Sequence, residues 1–359
     1  HLKSEQRQVS GCGFNPGRLK RMNLDKQPSV TIIMPVRNEA DYIDGGLRAI
    51  LRQDYPAECT EILIVDGMST DSTREIIQQE IEKRTNLYLL DNPEQIVPTA
   101  MNRAIRQATG EIIVRVDGHC EIAHDYVSQC VHHLLESDAD GVGGPIETIG
   151  ETPTAQAIAL AMSSRFGMGG SAFRTIKDRA MWVETVAFAA YKMETIRQLG
   201  LYDEELVRNQ DDEYNYRLLK QGGKVLLTPD IRSRYYSRGS LRKLWRQFYQ
   251  YGFWKVRVMQ KHPSQLRLRQ FVPVLFVLSL ILSTLLPLCW GMLGLILLAY
   301  SLADFVVSTG IAKEHGWRYL PTLILAHLAM HVAYGLGFGV GLIRFAHRWT
   351  DKVGRVPSW

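Results

Sequence analysis

Short apolar runs alternate with helix-length polar stretches through the first half of the chain. Four runs predict buried strands, at residues 30–36, 61–66, 87–90 and 112–117. The spacing of apolar residues between them predicts helices at 39–52, 70–83 and 98–108. Because helices of about 10–15 residues separate the strands, the pattern predicts an α/β fold, with a mostly parallel sheet and helices on both faces.

Beyond residue 270 the chain becomes strongly apolar, in stretches at 271–289, 291–307 and 320–343. A bilayer crossing needs about 17–25 residues, so the first two are barely long enough and the third is ample. If the first two both cross, they form a tight hairpin at Trp290. Three full crossings would leave Arg344 and Arg348 on the far side, against the positive-inside tendency. Either that tendency fails here, or one stretch is re-entrant.

Gly335, Gly337, Gly339 and Gly341 recur at small-residue spacing in the third apolar stretch, which favours close helix packing. The shifts in composition predict four regions along the chain. They are an N-terminal extension at 1–27, an α/β domain at 28–238, an amphipathic membrane-interface segment at 239–270, and a transmembrane region of about three apolar stretches at 271–359.

The composition excludes several classes of protein. Of the 359 residues, 46% are hydrophobic and 22% are charged, unlike disordered or collagen-like chains. The net charge is only +5, but Arg and Lys concentrate over 232–269. This run indicates attraction to anionic lipid headgroups or retention in the cytoplasm, or else a solvated basic face. The five cysteines include no C-x-x-C pair, which fits a reducing cytoplasm better than a zinc site or disulfide framework.

Aromatic and basic residues interleave over 241–255. Such a segment can stack on single-stranded nucleic acid, or it can lie as an amphipathic helix at a membrane surface. Its position just before the apolar tail favours the membrane, so a lipid bilayer is the expected partner and nucleic acid is not.

Three acidic residues lie where ligands bind in an open α/β sheet, beyond the carboxyl ends of the strands. Asp66 ends the second predicted strand, Asp117 ends the fourth, and Asp211 precedes a helical stretch. A single Asp at such a position is commonly a turn former or a helix cap. Together with the PVRNE turn at 35–39, the three predict a single crevice on which their side chains converge.

Four ordered motifs resemble those of the family-2 glycosyltransferases with a GT-A fold, over about residues 28–255. Residues 35–39 (PVRNE) resemble P-x-x-N-E, and 64–73 (IVDGMSTDST) resemble V-D-D-G-S-T-D-x-T. Residues 117–119 (DGH) stand in place of D-x-D, and 210–217 (QDDEYNYR) in place of E-D-x-D-L-x-x-R. Within the family, the chain looks closest to the membrane glucosyltransferases of succinoglycan-type exopolysaccharide synthesis.

The resemblance implies a nucleotide-sugar site formed by Pro35, Arg37, Glu39, Asp66 and Asp117. Glu39 and Asp66 would hydrogen-bond the uridine of a UDP-sugar, and Pro35 would shape the turn beneath it. Asp117 would bind the divalent cation that bridges the diphosphate.

The expected metal ligands are Asp117 and His119, and the expected cofactor is Mn²⁺ or Mg²⁺. His119 replaces the second Asp of the family motif, and an imidazole suits Mn²⁺ better than Mg²⁺.

The same resemblance makes Asp211 the general base. Gln210 replaces the usual Glu beside it, which should leave the pKa of the base lower than in a Glu–Asp pair. Other candidates for acceptor or diphosphate contacts share polar or aromatic side chains in or after this motif. They are Gln210, Arg217, Arg238, Gln247 and Trp254.

These roles imply a single displacement with inversion. A metal held by a carboxylate stabilises charge growing on UDP, and a carboxylate base takes the acceptor's hydroxyl proton. The expected reaction moves a hexose, glucose by resemblance, from a UDP-sugar to a polyprenyl-diphosphate-linked saccharide in exopolysaccharide or glycan assembly. One alternative acceptor is polyprenyl phosphate itself. A non-enzymatic alternative is a nucleotide-binding export or transport subunit.

The expected location is the bacterial inner membrane, with several crossings and a cytoplasmic catalytic domain. Two further features stay open at this point. The pattern of the glycine-rich segment 167–171 predicts either a mobile acceptor-side loop or a surface turn. The apolar stretches also contain His327, His331 and Asp304. They are either functional intramembrane groups or neutral side chains packed between helices.

Overall fold

A computed structural model describes residues 27–237, 239–265 and 267–351. Arg238 and nearly all of the predicted 1–27 extension lie outside the described residues. The strands are β1 (Val30–Val36), β2 (Thr60–Asp66), β3 (Leu87–Asp91), β4 (Ile112–Arg115), β5 (Cys120–Ile122), β6 (Gly141–Gly143), β7 (Ile146–Ile149), β8 (Met181–Val183), β9 (Ala190–Lys192), β10 (Val225–Leu227) and β11 (Ser233–Tyr236).

Helices follow most of the strands, and the longest come last. They are α1 (Ile43–Leu51), α2 (Thr73–Ile81), α3 (Val97–Gln107), α4 (Tyr126–Glu136), α5 (Pro153–Ser163), α6 (Arg165–Met168), α7 (Ala172–Thr175), α8 (Met193–Leu199), α9 (Gln210–Lys220), α10 (Leu241–Lys261), α11 (Val272–Leu285), α12 (Trp290–His315) and α13 (Leu320–Arg344).

The predicted α/β sheet is confirmed. Eight strands lie in the order β3-β2-β1-β4-β9-β6-β10-β8. The four strands predicted from sequence form its parallel half, with β1 between β2 and β4. β9 pairs antiparallel with β4 and β6, so the sheet is mixed at its other half. A second sheet has the order β5-β11-β7.

The predicted elements shift at their ends where the chain turns near the sheet's carboxyl edge. β4 ends at Arg115, which leaves Asp117 in a turn whose carbonyl accepts from Cys120 N at 3.0 Å. The first helix begins only at Ile43, because Asn38 adopts a positive φ of 53° and the chain must turn before it can coil. These turns, rather than the regular elements, therefore carry the polar motifs.

Glycines let α10 and α13 pack backbone to backbone. A Cβ added at Gly337 of α13 would lie 2.1 Å from the Tyr249 carbonyl oxygen, and one at Gly252 of α10 would lie 2.0 Å from that of Tyr334. The close packing predicted from the glycine spacing is confirmed for this pair. Gly339 is different, because a Cβ there would meet no atom within 4 Å among the described residues.

Segment 239–270 was expected to lie at a membrane surface. Its helix α10 instead has buried charged residues that pair with the α/β unit. Arg257 is buried and pairs with Glu205 at 2.8 Å, and Lys261 also pairs with Glu205, at 2.6 Å. Burial alone would raise the pKa of Glu205, but hydrogen bonds from these cations lower it to about 2. Part of the basic run is therefore an internal ion cluster that joins α10 to the α/β unit.

Two segments, Trp290–His315 and Trp317–Arg344, are long and apolar enough to cross a membrane, judged by length and composition. The helix α11 has 14 residues and a length of about 21 Å, short of the ~30 Å hydrocarbon core. By its length, α11 is therefore too short for a full crossing, and the number of crossings stays open.

Both ends of α13 contact the α/β unit. Before the helix, the Tyr319 hydroxyl bonds to Gln156 of α5. Beyond its end, the Phe345 carbonyl accepts from Gln260 at 2.8 Å, and Arg348 pairs with Glu205. The helix thus runs along the α/β unit, while the turn between α11 and α12 projects bare apolar side chains.

Candidate active site

A cavity of about 1250 Å³ opens beside β4 and extends towards the apolar helices. Its polar end is lined by Asp117, His119 and Asp211. Its far end is lined by Phe276 of α11 and Tyr300 of α12. The cavity therefore connects the carboxylates predicted from the sequence with the helices predicted to be membrane-associated.

Arg115 holds the carboxylate of Asp117. Its Nε donates to Asp117 Oδ1 at 2.9 Å, and a terminal nitrogen donates to Oδ2 at 3.2 Å. Burial alone would lower the pKa of Arg115, but the charges of Asp117 and Asp211 outweigh burial and raise it. One permanently charged guanidinium thus stabilises both acidic residues at this end of the cavity.

Asp211 lies in the first turn of α9, which begins after Asn209 in a left-handed conformation with φ 62°. Its Oδ1 accepts from the backbone N–H of Asp212 at 3.0 Å. Burial raises the pKa of Asp211; the charge of Arg115 opposes this rise, and that of Asp212 adds to it. The environment therefore makes Asp211 a stronger proton acceptor than an exposed aspartate. The comparison with a Glu–Asp pair stays a prediction.

His119 lies on the same wall, and its ring contacts Glu39. The distance from His119 Nδ1 to Glu39 Oε1 is 2.9 Å, and the ring packs edge-on against Tyr235. When a carboxylate contacts one nitrogen of a histidine ring, it fixes the direction in which the other ring nitrogen points, as in many histidine metal ligands. Asp117 and His119 carry oxygen and nitrogen donors of the kind that divalent cations take, and any further ligands would have to come from a bound molecule. Among the described residues, no group of three His, Cys, Asp or Glu could hold an ion without such help.

Asp66 does not line this cavity, which corrects the expectation that 66, 117 and 211 converge on it. Asp66 is fully buried, accepting from Ser69 N at 3.0 Å and from Arg74 at 2.7 Å. Arg74 also bridges to Asp91 at 2.7 Å. The strand places Asp66 at the predicted edge, but these neighbours turn its carboxylate into the turn before α2.

The PVRNE residues at 35–39 are not part of the cavity lining and are linked to it through the contact between Glu39 and His119. Pro35 is buried in β1 opposite Val65, and Arg37 is exposed along Gly67, where a Cβ would lie 3.2 Å from its side chain. None of Pro35, Arg37 and Glu39 belongs to the lining of the large cavity. Their nucleotide-binding roles stay predictions.

The acceptor-side candidates divide into two groups. Gln210 and Gln247 are buried and line the cavity, and each leaves its Oε1 without a partner among the described residues. Arg217 does not line it, because it pairs with Glu213 at 2.7 Å and donates to the Leu199 and Leu201 carbonyls. Protein groups occupy its guanidinium, and its expected contact with acceptor or diphosphate stays a prediction.

Trp254 also lies outside the cavity lining. It packs against Phe253 and Phe345 in the contact between α10 and the end of α13, with ring centroids 5.5 and 5.8 Å away. The expected contact with acceptor or diphosphate is therefore not supported for this residue. Arg238 cannot be placed, since it lies outside the described residues.

Arg174 is a buried cation on the cavity wall that was not among the residues predicted from the sequence. It belongs to α7, directly after the glycine-rich segment 167–171, which also lines the cavity. That segment includes part of α6, with left-handed Gly169 and Gly170 beyond it. The run of glycines was the available signal, but it pointed to the segment and not to the arginine after it.

The intramembrane candidates form a packed polar cluster. His327 is fully buried, with Nδ1 2.8 Å from Asp304 Oδ1 and Nε2 3.1 Å from Ser164 Oγ. His331 bridges the Tyr300 hydroxyl and the Phe166 carbonyl, each at 2.9 Å. These contacts join α12 and α13 to the segment around α6.

Comparison with known proteins adds to this geometry. The family model described as "Glycosyl transferase family 2" matches residues 31–200. The chain is 31% identical over 331 residues to the succinoglycan biosynthesis protein ExoA of Rhizobium meliloti (strain 1021), covering 91% of this chain and 99% of that protein.

A second relative comes from Methanococcus voltae. It is named dolichyl N-acetyl-alpha-D-glucosaminyl phosphate 3-beta-D-2,3-diacetamido-2,3-dideoxy-beta-D-glucuronosyltransferase. Identity is 30% over 325 residues, covering 88% of this chain and 97% of the relative.

Two solved structures have a similar fold. The mannosyltransferase PcManGT from Pyrobaculum calidifontis, in complex with GDP-Man and Mn²⁺, superposes with a TM-score of 0.56 at 22% identity, covering 86% of this chain and 87% of that one. S. aureus TarS 1–349 in complex with UDP-GlcNAc gives 0.51 at 16% identity, covering 89% and 92%. The sheet and these likenesses show the GT-A fold, and the identity to relatives over most of both chains shows that this chain belongs to glycosyltransferase family 2.

Proposed function

We propose that the chain is an inverting, metal-dependent hexosyltransferase that moves a hexose, glucose by resemblance, from a UDP-sugar to a polyprenyl-diphosphate-linked saccharide. The observation that carries this proposal is the single cavity that joins Asp117 and Asp211 to the apolar helices. A sugar nucleotide needs the polar end, and a lipid-borne acceptor needs access from a membrane. Family membership removes the alternative of a non-enzymatic export subunit.

A lipid-linked saccharide is favoured over bare polyprenyl phosphate as the acceptor. The M. voltae relative carries in its name a dolichyl phosphate that already bears a sugar. The relative from R. meliloti is named for succinoglycan biosynthesis. A cavity of about 1250 Å³ has room for both a sugar nucleotide and an acceptor sugar.

In the proposed reaction, the acceptor hydroxyl oxygen forms a bond to the anomeric carbon as the bond from that carbon to the UDP oxygen breaks. The hydroxyl proton goes to the Asp211 carboxylate, and the electron pair of the broken bond leaves with UDP. A positioned base of this kind accelerates the transfer by about 10²–10⁴-fold. Since the attack occurs opposite the leaving group, one displacement inverts the anomeric centre.

Asp117 and His119 would hold the divalent cation, and Glu39 would fix the His119 ring. When bound, the cation would supply positive charge to the departing diphosphate. Solved structures of the GT-A fold include complexes with Mn²⁺. The imidazole ligand favours Mn²⁺ over Mg²⁺ for this chain.

We place the protein at the inner membrane with its α/β unit in the cytoplasm. Support comes from the bare apolar surface of α11 and α12 and from the basic residues beside them. Since both ends of α13 contact the α/β unit, the α11–α12 hairpin is the part best suited to enter lipid.

The decisive experiment supplies purified protein with labelled UDP-glucose and either a polyprenyl-diphosphate-linked saccharide or polyprenyl phosphate. We expect labelled lipid from the first acceptor, dependent on divalent cation. Asp211→Asn should reduce turnover by about 10²–10⁴-fold, because the proton then lacks its acceptor. Asp44→Asn is the control, since Asp44 is an exposed partner of Arg48 on α1. Near-normal turnover of a folded Asp211→Asn variant would contradict the assignment of the base.

A further inference from the structure

Three cationic side chains are buried on the wall of the large cavity, and two of them have a carboxylate partner. Arg115 pairs with Asp117 at 2.9 Å, and Lys255 pairs with Asp212. The third, Arg174, is 6% exposed and forms no ion pair with any carboxylate in the described ranges. It is the exception that needs an explanation.

The surroundings of Arg174 hold the side chain without neutralising it. Its guanidinium lies 5.5 Å from the Phe173 ring centroid and 5.4 Å from that of Tyr235. One terminal nitrogen donates to Thr148 Oγ1 at 3.0 Å, while the buried Nε has no partner within the described part of the chain. A buried charge with unmet donors is costly, so the site is complete only when an anion enters it.

The position of Arg174 indicates the kind of anion. Tyr235, which packs against the guanidinium, also meets the His119 ring at 5.0 Å between centroids. Arg174 therefore lies at the end of the cavity where Asp117 and His119 are found. A guanidinium fork can donate to two phosphate oxygens, and a diphosphate is the anion that the proposed reaction brings to this end of the cavity.

We propose that Arg174 binds a diphosphate, either that of the sugar nucleotide or that of the lipid-linked acceptor. The inference rests on the proposed transferase function and adds a diphosphate-binding residue that the sequence motifs do not assign. The guanidinium donates to the phosphate oxygens and holds the diphosphate against the polar end of the cavity. The segment 167–171 precedes Arg174 and would place it when the ligand enters.

A purely structural role makes the opposite prediction for stability. If Arg174 only joined Phe173 to Tyr235 and Thr148, replacing it would lower the melting temperature and leave anion binding unchanged. If it serves a ligand, Arg174→Met keeps most of the volume and removes an uncompensated charge. The melting temperature of the ligand-free protein should then stay the same or rise.

The test titrates the full-length protein with UDP and, separately, with farnesyl diphosphate, following the heat of binding. Arg174→Met should weaken one or both probes by about 10–100-fold, because each charge-assisted hydrogen bond to phosphate is strong. The probe that is weakened identifies the source of the diphosphate. Arg174→Lys should recover part of the affinity, since it restores the charge without the fork. Arg234→Met is the control, because Arg234 is exposed and lies outside the cavity lining.

Affinity of Arg174→Met within twofold of wild type for both probes would overturn this inference alone, with the transferase proposal intact. If the wild-type protein binds neither UDP nor farnesyl diphosphate, both this inference and the transferase proposal are overturned. If Arg174→Met does not fold, Arg174→Lys decides: unchanged affinity for both probes in this variant, with a lowered melting temperature, assigns the residue a structural role.

Discussion

Asp211 makes a pH-dependence prediction that belongs to a single side chain. Burial raises its pKa above the ordinary value of about 3.9, although Arg115 opposes the rise. A base acts only when deprotonated, so kcat/KM should fall as the pH drops through this raised pKa. The fall should therefore begin at a higher pH than an exposed aspartate would give.

The pH profile is measured as kcat/KM for transfer between about pH 4 and pH 8. The residual activity of Asp211→Asn should lack this acidic limb, while Asp44→Asn should keep it. An acidic limb of the same position and size in Asp211→Asn would assign the titration to another group.

At the same scale, the sequence could predict where the backbone of a residue lies in the fold, but not which groups its side chain contacts. Asp66 lies at the predicted strand end, yet Arg74 and Ser69 turn it away from the cavity. Arg217 matches its motif, but the Leu199 and Leu201 carbonyls occupy its guanidinium. Such partners depend on packing, which a motif does not encode.

At the scale of elements, local sequence patterns were sufficient to predict the strands in the parallel half of the sheet and the long apolar helices. The strand Val30–Val36 was predicted to the residue, because a fully buried strand is a continuous apolar run. The nature of α10 was not predictable in the same way. Its pattern of aromatic and basic residues is also typical of a membrane surface, but Glu205, which pairs with Arg257, comes 52 residues earlier.

The contact between α10 and α13 makes a prediction with a matched control on the same helix. Gly337→Ala would put a Cβ 2.1 Å from the Tyr249 carbonyl oxygen, so the helices must separate. Gly339→Ala meets open space and should gain about 1 kcal/mol from its higher helix propensity. We expect Gly337→Ala to lose at least about 2 kcal/mol of stability, as overpacked sites do.

Thermal or detergent unfolding of the two variants, followed by circular dichroism, measures this difference. A Gly337→Ala protein as stable as Gly339→Ala would mean that α10 and α13 are not in backbone contact.

For the whole molecule, one cavity extends from the edge of the sheet to the apolar helices α11 and α12. Its walls come from the α/β unit, from α6 and α7, and from the apolar helices. Because Arg348 and Asp351 pair with Glu205 and Arg257, residues 345–351 lie on the side of the α/β unit. If α11 and α12 enter a membrane in this arrangement, Arg344 and Arg348 need not cross it, which avoids the conflict with the positive-inside tendency.

The same arrangement predicts that the α11–α12 turn anchors the protein. Leu285 is 70% exposed and Leu288 is 100% exposed, which is costly in water and favourable in hydrocarbon. Leu285→Asp combined with Leu288→Asp should reduce binding to vesicles of anionic lipid by at least about tenfold, because each carboxylate is costly at membrane depth. Tyr88→Asp, at an exposed aromatic of β3, should leave binding unchanged. Vesicle flotation measures both, and a double variant that floats like wild type would show that the anchor lies elsewhere, with α13 the next helix to test.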